Sequence, residues 1–355
     1  MRVRLGLLVL ISLTAIGCGA GERTTGGADE AALNQEISAG DDSWQAIVDA
    51  AKAEGEVHVR SVFPESVDAD LFRRFEEATG IRVNYSRKGG SAPTIQTYLT
   101  EVAAGAHLAD VLQVESSIAA SVPADERMAE FTVPNETSYA ERYRERTPGA
   151  HTTVALVVPI VFNRDLMAES ELPETYEDLA DPKYRSKIAM GSPENSSNIV
   201  GLIFVWERMY GMSWLRSFTA NDLLETDREV ESANFIARGE RLLGPMSQTS
   251  PAAQIQAGAP LAYHWVKGTK VDTYSAIVPE LAPHPNAARL FVNFLLSQSH
   301  QEGVAQRLRA YPVVSGISAP EGFPELEDLD PVSIDAETFN ENRERIIRLW
   351  RSLPR

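Results

Sequence analysis

The sequence predicts an α/β protein whose first part is built on a parallel β-sheet. After Trp44, segments with apolar residues at helical spacing alternate with short apolar segments typical of strands. Trp44, Ile47, Val48 and Ala51 fall on one face of a helix, and a strand signal follows over residues 57–63. Strands separated by helices favour parallel pairing through right-handed crossovers.

The alternation continues in two further helix–strand pairs. The second predicted helix stops at Gly80, which suits the position after a helix C-terminus, and a strand follows over residues 81–85. A third helix over residues 95–102 precedes a strand over residues 109–114. Because ligands of parallel sheets bind beyond the carboxyl ends of the strands, the loops after these three strands are candidate ligand contacts.

The rest of the chain adds a second region and a return to strand-like sequence. Residues 154–162 predict a buried strand, and helices are expected around residues 199–210 and 234–239. A strand signal returns over residues 275–278. An amphipathic helix with Pro285 in its first turn follows it, and a charged helix spans residues 336–352.

The N-terminus is typical of a bacterial export signal. Arg2 and Arg4 precede an apolar run too short to span a bilayer, and small residues lead to Cys18 as in a lipoprotein signal. We therefore expect a signal peptide over residues 1–17 and a lipid on Cys18 that anchors the protein in a membrane. Residues 18–43, rich in Gly, Thr, Ala and acids, are predicted to be a flexible tether, so the globular part would lie in the periplasm or at the cell surface.

Composition excludes several classes of function. Cys18 is the only cysteine, so no disulfide and no cysteine metal cluster can form within the chain. A formal net charge of −17 without a basic stripe argues against nucleic-acid binding. The chain lacks the hydrolase elbow, the zinc-protease helix and the phosphate loop, and its six histidines show no metal-type spacing, so neither enzymatic activity nor a cofactor is expected.

From Trp44 onward the chain resembles the bacterial family 1 extracellular solute-binding proteins, in the branch of ferric-ion, aminoethylphosphonate and thiamine-type binding proteins. The stretches that carry the resemblance are WQAIVDAAKAEGEVHV (44–59), FEEATGIRVNYSRKGGSAPTIQTYLTEVAAGAHLADVLQV (75–114), VVPIVFNRDLM (157–167), YEDLADPKYRSKIAMGSP (176–193) and APHPNAARLFVNFLLSQSHQEGVAQ (282–306). The resemblance implies a type II periplasmic-binding-protein fold, with two α/β lobes joined by crossover strands and the ligand between them. Lobe one would comprise residues 44–155 and 276–355, and lobe two residues 156–275.

The resemblance also implies where the ligand binds. In lobe one the expected contacts follow the predicted strands, and in lobe two they lie at helix N-termini, whose free N–H groups suit anions. The predicted contact residues are Ser61, Arg87, Ser91, Ser116, Ser117, Asn195, Ser196, Ser197, Ser232 and Tyr263. For each of them the alternative is a plain structural role, such as helix capping or core packing.

One departure from the family bears on the ligand. Ferric-binding members carry two adjacent tyrosines about ten residues after a Gly-Glu pair, and here Thr249 and Ser250 stand near that place after Gly239-Glu240. Neutral hydroxyls cannot replace two phenolates as ligands of Fe³⁺. We therefore expect a monomeric binding protein that delivers a small anionic or zwitterionic solute to the permease of an ABC importer. A ferric-ion binder with non-tyrosine ligands and a sensory ligand-binding lipoprotein are the alternatives.

Overall fold

The structure is a computed structural model that describes residues 25–63, 65–120, 122–123, 128–143 and 149–354. The predicted signal peptide and Cys18 lie outside these residues. None of the helices within them combines the length and the apolar character that crossing a membrane requires.

Helices and strands alternate through most of the described chain. The helices are α1 (Thr25–Ser38), α2 (Asp42–Glu54), α3 (Glu65–Thr79), α4 (Ser91–Ala103), α5 (Ser116–Ala119), α6 (Ser197–Thr219), α7 (Glu229–Ala237), α8 (Ala252–Gln256), α9 (Pro285–Leu295), α10 (Gln298–Gly303) and α11 (Ala336–Ser352). The strands are β1 (Glu56–Ser61), β2 (Arg82–Ser86), β3 (Val111–Glu115), β4 (Ala150–Val157), β5 (Ile160–Asn163), β6 (Ala189–Gly191), β7 (Leu224–Thr226), β8 (Leu243–Pro245), β9 (Leu261–His264), β10 (Lys270–Ile277) and β11 (Val332–Ser333).

The first sheet has the strand order β11-β10-β3-β1-β2, and β4 also pairs with β10. β1 pairs in parallel with β2 and β3, as the helix–strand alternation predicts. β10 runs antiparallel to both β3 and β4, so the sheet is mixed rather than fully parallel. The carboxyl ends of β1, β2 and β3 therefore lie at one edge of the sheet, and the carboxyl end of β3 lies beside the middle of β10.

The chain leaves this sheet between β4 and β5 and returns to it between β9 and β10. β5 pairs with β8 and β9 in a second, three-stranded sheet, and β6 pairs with β7 in a third. The single strand predicted over residues 154–162 is thus two strands, separated at Pro159, which cannot donate to a ladder. The whole of β10 lies in the first sheet, so the predicted lobe boundary at residue 275 falls inside a strand.

Two large apolar clusters form the cores of the lobes. Lobe one is centred on β1, β3 and α9, with Phe75 and Phe291 in edge-to-face contact at 5.2 Å. Lobe two is centred on α6, where Trp206 packs against Trp214 and Phe218. This packing is the type II arrangement of two α/β lobes joined by crossover strands.

The apolar face of the C-terminal helix α11 packs on lobe two, whereas the prediction placed residues 276–355 in lobe one; near the start of the helix, Asn340 also donates to the Ser117 carbonyl of lobe one at 3.2 Å. Its buried residues Phe339, Ile346, Ile347 and Trp350 belong to the same apolar cluster as α6. The indole Nε1 of Trp350 donates to Glu225 Oε1 of β7 at 2.9 Å. The apolar face of α11 is evident in the sequence, but its partner is set by tertiary structure.

A flexible tether is predicted over residues 18–43, and helix α1 corrects this prediction for residues 25–38, while residues 18–24 lie outside the described residues. Leu33 and Ile37 lie four residues apart on one face of α1, and both are buried in the core of lobe one. The carbonyl of Ile37 accepts hydrogen bonds from Trp44 Nε1 at 3.2 Å and from Asn293 Nδ2 at 2.9 Å. Two well-placed apolar residues are enough to dock a segment whose overall composition suggests disorder.

We expect Ile37→Ala to lower the free energy of unfolding of lobe one by about 2 kcal/mol, the low end for a buried aliphatic truncation, because α1 lies at the edge of the core. Urea denaturation of the mature protein measures this change. Gln35→Ala, on the exposed side of α1, is the matched control and should have little effect. Equal stability of the two variants would mean that α1 does not dock.

Candidate ligand-binding cleft

The loops after β2 and β3 are tied together at the carboxyl edge of the first sheet. Ser91, the first residue of α4, accepts a hydrogen bond from the backbone N–H of Glu115 at 2.9 Å. The hydroxyl of Ser116 is hydrogen-bonded to the hydroxyl of Ser275 of β10 at 2.7 Å. It also accepts a hydrogen bond from Thr273 Oγ1 at 2.8 Å. These bonds fix Glu115 at the junction of β3 and β10, where the chain crosses between lobes.

Glu115 is a buried carboxylate without a basic partner at contact distance. Its residue surface is 8 % exposed, and its Oε1 accepts from Ser117 Oγ at 2.9 Å. Within the described residues no lysine, arginine or histidine forms a salt bridge with it. Burial, reinforced by the neighbouring charge of Asp272, raises the pKa of Glu115 to about 7 against the attraction of Lys270.

Lys270 and Asp272 form an ion pair on β10 at the same junction. Two residues apart on a strand, they point to the same side. Lys270 is only 2 % exposed, and its Nζ also approaches Asn198 Oδ1 of α6 at 3.5 Å. The pair therefore links the crossover strand to the N-terminal turn of α6 in lobe two.

Glu229, the first residue of α7, supplies a further carboxylate in lobe two. It accepts hydrogen bonds from Ser196 Oγ at 2.8 Å, Asn198 Nδ2 at 3.1 Å, the Ser247 N–H at 2.5 Å and Ser250 Oγ at 3.3 Å. Burial raises the pKa of Tyr274 of β10, and the charge of Glu229 adds to this effect. Hydrogen bonds thus link Lys270 of β10 through Asn198 to Glu229 at the start of α7, and Ser116, next to Glu115, bonds to Thr273 and Ser275 of the same strand.

A family profile described as "Bacterial extracellular solute-binding protein" matches residues 114–341, which is more than half of the chain and includes β10 and the start of α6. The chain belongs to this family. The resemblance based on sequence is confirmed.

Relatives with known names point to the same branch. The binding protein is 25 % identical over 290 residues to iron uptake protein A1 of Synechocystis sp., covering 76 % of this chain and 79 % of that protein. It is 20 % identical over 258 residues to a Salmonella typhimurium periplasmic protein named for 2-aminoethylphosphonate binding, covering 70 % and 74 % of the two chains. The fold matches that of iron-bound HitA from Pseudomonas aeruginosa with a TM-score of 0.72 at 18 % identity, covering 83 % of this chain and 98 % of that one.

The structure brings the predicted lobe-one residues to the carboxyl edge but gives several of them structural roles. Ser61 is fully buried, and its hydroxyl accepts the N–H of Phe63 at 3.2 Å. Arg87 is exposed, and its Nε donates to the carbonyl of Val62 at 2.9 Å. Ser116 and Ser117 lie at the cleft beside Glu115, as described above.

The predicted lobe-two residues divide in the same way. Ser196 caps α6 by accepting the N–H of Ile199 at 3.3 Å, and Ser197 is the half-buried first residue of that helix. Asn195 is exposed and reaches Asp227 at 3.4 Å. Ser232 is fully buried inside lobe two and is hydrogen-bonded to Thr226 Oγ1 at 2.7 Å, so this structure leaves no surface there for a ligand.

Tyr263 belongs to an aromatic cluster with Trp265 and Phe323, at ring distances of 5.3 and 5.2 Å. Its hydroxyl donates to the carbonyl of Gln248 at 2.7 Å, and burial raises its pKa to about 12. The ring supports the loop that carries Ser247 and Ser250.

The predicted contacts do not include the charged residues Lys270, Asp272 and Glu229 or the neutral amide Asn198. One signal in the sequence could have found two of them: Lys270 and Asp272 are charges two residues apart at the start of a segment that returns to the core sheet. Such buried charges on a strand are rare unless they are paired. Glu229 has no comparable signal, because an acid in the first turn of a helix is common.

Gly201 of α6 makes room for the Lys270 side chain. A methyl group at this position would clash with Lys270 Cε, and Lys270 is buried and ion-paired. We expect Gly201→Ala to lower the free energy of unfolding by about 1 to 3 kcal/mol through overpacking, although alanine favours helix formation. Urea denaturation measures the loss, and the exposed Ser213→Ala on the same helix serves as the control. A stabilised Gly201→Ala protein would show that Lys270 does not pack there.

Proposed function

We propose that this solute-binding protein is the extracytoplasmic component of an ABC importer and that its solute is a small zwitterion whose amino group pairs with Glu115. The observation that carries this proposal is the buried Glu115 carboxylate, which has no basic partner at contact distance among the described residues. Burying an unpaired carboxylate is costly, and an ammonium group of the ligand would remove that cost.

The remaining charges of the cleft favour a zwitterion over a simple anion. This region contains the carboxylates of Glu115, Asp272 and Glu229. The positively charged side chain that lies among them is Lys270. The acidic group of the solute would face Lys270 and the N-terminal turn of α6, whose first N–H groups have no acceptor within the helix. A purely anionic solute would meet an excess of negative charge.

Transport would follow from closure of the two lobes. The polar network joins β3 and β10 of lobe one to α6 and α7 of lobe two, so a ligand bound there contacts both lobes only when they are closed. Ligand therefore shifts the population toward the closed form, which docks on the permease. We propose that the protein acts as a monomer.

We also propose that a lipid on Cys18 anchors the protein in the membrane. Residues 19–24 separate Cys18 from the start of α1 in the sequence, a span of at most about 25 Å. Lobe one would then lie close to the membrane that holds the permease. Mass spectrometry of the N-terminal peptide tests this, since an unmodified Cys18 in protein from membranes would refute it.

The solute class is tested by thermal shift with matched probes. Small amino acids and 2-aminoethylphosphonate are compared with the same molecules lacking the amino group and with the corresponding simple amines. At a hundredfold excess over Kd a true ligand adds about 2.7 kcal/mol to stability, which raises the melting temperature by several degrees. Stabilisation by a zwitterion but not by its deaminated analogue is the expected result.

Two variants sharpen this test. Glu115→Gln should abolish the shift caused by the zwitterion, whereas Arg87→Ala should preserve it, because Arg87 is exposed and bonded to a backbone carbonyl. If only deaminated anions stabilise the protein and Arg87→Ala abolishes their effect, the solute is an anion held by Arg87, and the proposal is wrong.

Ferric iron is the competing ligand because relatives are named for iron. Tyr274 pairs with Glu115 across the sheet and Tyr263 bonds to the Gln248 carbonyl; burial raises the pKa of both, that of Tyr263 to about 12. Forming the phenolates that bind Fe³⁺ is therefore unfavourable in this arrangement. A visible charge-transfer band on adding Fe³⁺ with citrate would establish iron as the cargo.

A further inference from the structure

Two histidines and two carboxylates meet at the edge of lobe one opposite the cleft. Glu56 and His58 lie at the start of β1, Asp110 directly precedes β3, and His284 precedes α9. One ligand atom from each of His58, Asp110 and His284 lies within 4.8 Å of the others, and the two imidazole rings are 5.2 Å apart. The two histidines are far apart in the sequence, so their spacing gives no metal signal.

The buried Asp110 holds this edge together. It is fully buried, and its carboxylate accepts the backbone N–H groups of His58 and His284, each at 2.7 Å. It also accepts the ring Nδ1–H of His284 at 2.9 Å. The ring Nδ1 of His58 faces the carbonyl oxygen of Leu108 at 3.3 Å.

These partners set the tautomers of both histidines. A carbonyl or carboxylate oxygen can only accept, so in the neutral form of each ring Nδ1 carries the proton and Nε2 presents a lone pair. Both Nε2 atoms lie 3.7 Å from the same oxygen, Oε1 of Glu56. When a histidine binds a metal through one ring nitrogen, the other ring nitrogen usually donates to a carboxylate or carbonyl oxygen, which orients the ring.

We propose that His58, His284 and Glu56 form a binding site for a divalent transition-metal cation, with Zn²⁺ as the best match. Tetrahedral zinc with bonds near 2.1 Å separates its ligand atoms by about 3.4 Å, so the observed 3.7 Å needs a shift of a few tenths of an ångström. Imidazole ligands select against Mg²⁺ and Ca²⁺, which prefer all-oxygen sites.

The neighbouring charges leave one oxygen of Glu56 free for the metal. Arg82 and Asn84 donate to the other oxygen, Oε2, at 2.5 and 2.9 Å, which leaves Oε1 directed at the two histidines. The side chains of His58, His284 and Glu56 are 34 %, 19 % and 28 % exposed, so an ion can enter from solvent. Three protein ligands would leave a fourth position open to water.

The site is separate from the solute cleft. His58 lies three residues before Ser61, which places it roughly 10 Å along β1 from the carboxyl edge of the sheet. A cation here would bridge β1, the start of β3 and the start of α9, and would stabilise lobe one. The proposed metal site does not depend on the identity of the solute.

The experiment measures binding of Zn²⁺ alone to the metal-free mature protein, by calorimetry and by competition with a chromogenic chelator. We expect one strong site per chain, which is weakened by at least about tenfold in His58→Gln and in His284→Gln. Glu56→Gln, a surface change, should also weaken it. His107→Gln, which replaces a nearby histidine outside the cluster, should bind as the wild type does.

Further readouts separate a metal ligand from a merely structural residue. Co²⁺ should give the visible spectrum of a low-coordinate histidine site in the wild type but not in His58→Gln. Zn²⁺ should raise the melting temperature of the wild type but not of the histidine variants, whose metal-free melting temperatures show whether they fold. Equal Zn²⁺ affinity in the wild type and in all three variants would overturn the proposal.

Discussion

Trp350→Ala is expected to lower the free energy of unfolding by about 3 to 5 kcal/mol, the usual cost of truncating a buried tryptophan. Trp350 is 1 % exposed, lies in the same apolar cluster as α6 and donates to Glu225 of β7 at 2.9 Å. Truncation leaves a large cavity and removes the only indole that α11 offers to lobe two. Urea denaturation measures the loss.

Hydrogen exchange shows which lobe the loss affects. If α11 belongs to lobe two, amides of α6 and β7 exchange faster in Trp350→Ala, while those of α2 and α9 in lobe one are little changed. Arg348→Ala, exposed on the same helix, is the matched control and should be within about 0.5 kcal/mol of the wild type. Faster exchange confined to lobe one would contradict the packing seen here.

Local structure was predictable where apolar periodicity was strong. Residues 336–352 were predicted as a helix and are α11, and the alternation after Trp44 gave α2 through β3 in order. The docking partners were not predictable, because an amphipathic face does not specify which of two cores it covers. Leu33 and Ile37 illustrate the same limit, since two apolar residues in a polar segment do not distinguish a tether from a docked helix.

The sequence indicates the position of the candidate site better than its chemistry. The rule that ligands bind beyond strand carboxyl ends directs attention to Ser116 and Ser117, which lie next to Glu115. It could not show that Ser61 and Ser232 are fully buried, nor that Arg87 bonds to a backbone carbonyl. Side-chain direction depends on tertiary contacts, so a charge in a loop and a charge in a cleft look alike in sequence.

Glu115 should make the protein less stable as the pH rises from about 4.5 to about 7. Burial raises the pKa of Glu115 from its ordinary value of 4.5 to about 7, with Asp272 adding to the effect and Lys270, Ser117 and Arg343 opposing it. Between these values the native state holds a proton that the unfolded chain releases, so stability falls with increasing pH. Between pH 4.5 and pH 7 the free energy of unfolding should fall by about 3 kcal/mol in total.

The comparison with Glu115→Gln isolates this contribution. Burial lowers the pKa of His300 to about 3, which makes stability rise with pH over part of the same range, but this effect is common to both proteins and cancels in the difference. We expect similar stabilities near pH 4 and a Glu115→Gln protein that is more stable by about 3 kcal/mol at pH 8. A constant difference from pH 4 to pH 8 would show that Glu115 titrates normally.

The same titration should govern ligand affinity. An ammonium group binds the ionised form of Glu115, so below pH 7 the affinity for the zwitterion should fall by up to about tenfold per pH unit in the wild type. Calorimetry at pH 6 and pH 8 with the solute found by thermal shift measures this, and binding at pH 6 should release a proton. An anionic solute would show the opposite trend, because it would bind better when Glu115 is neutral.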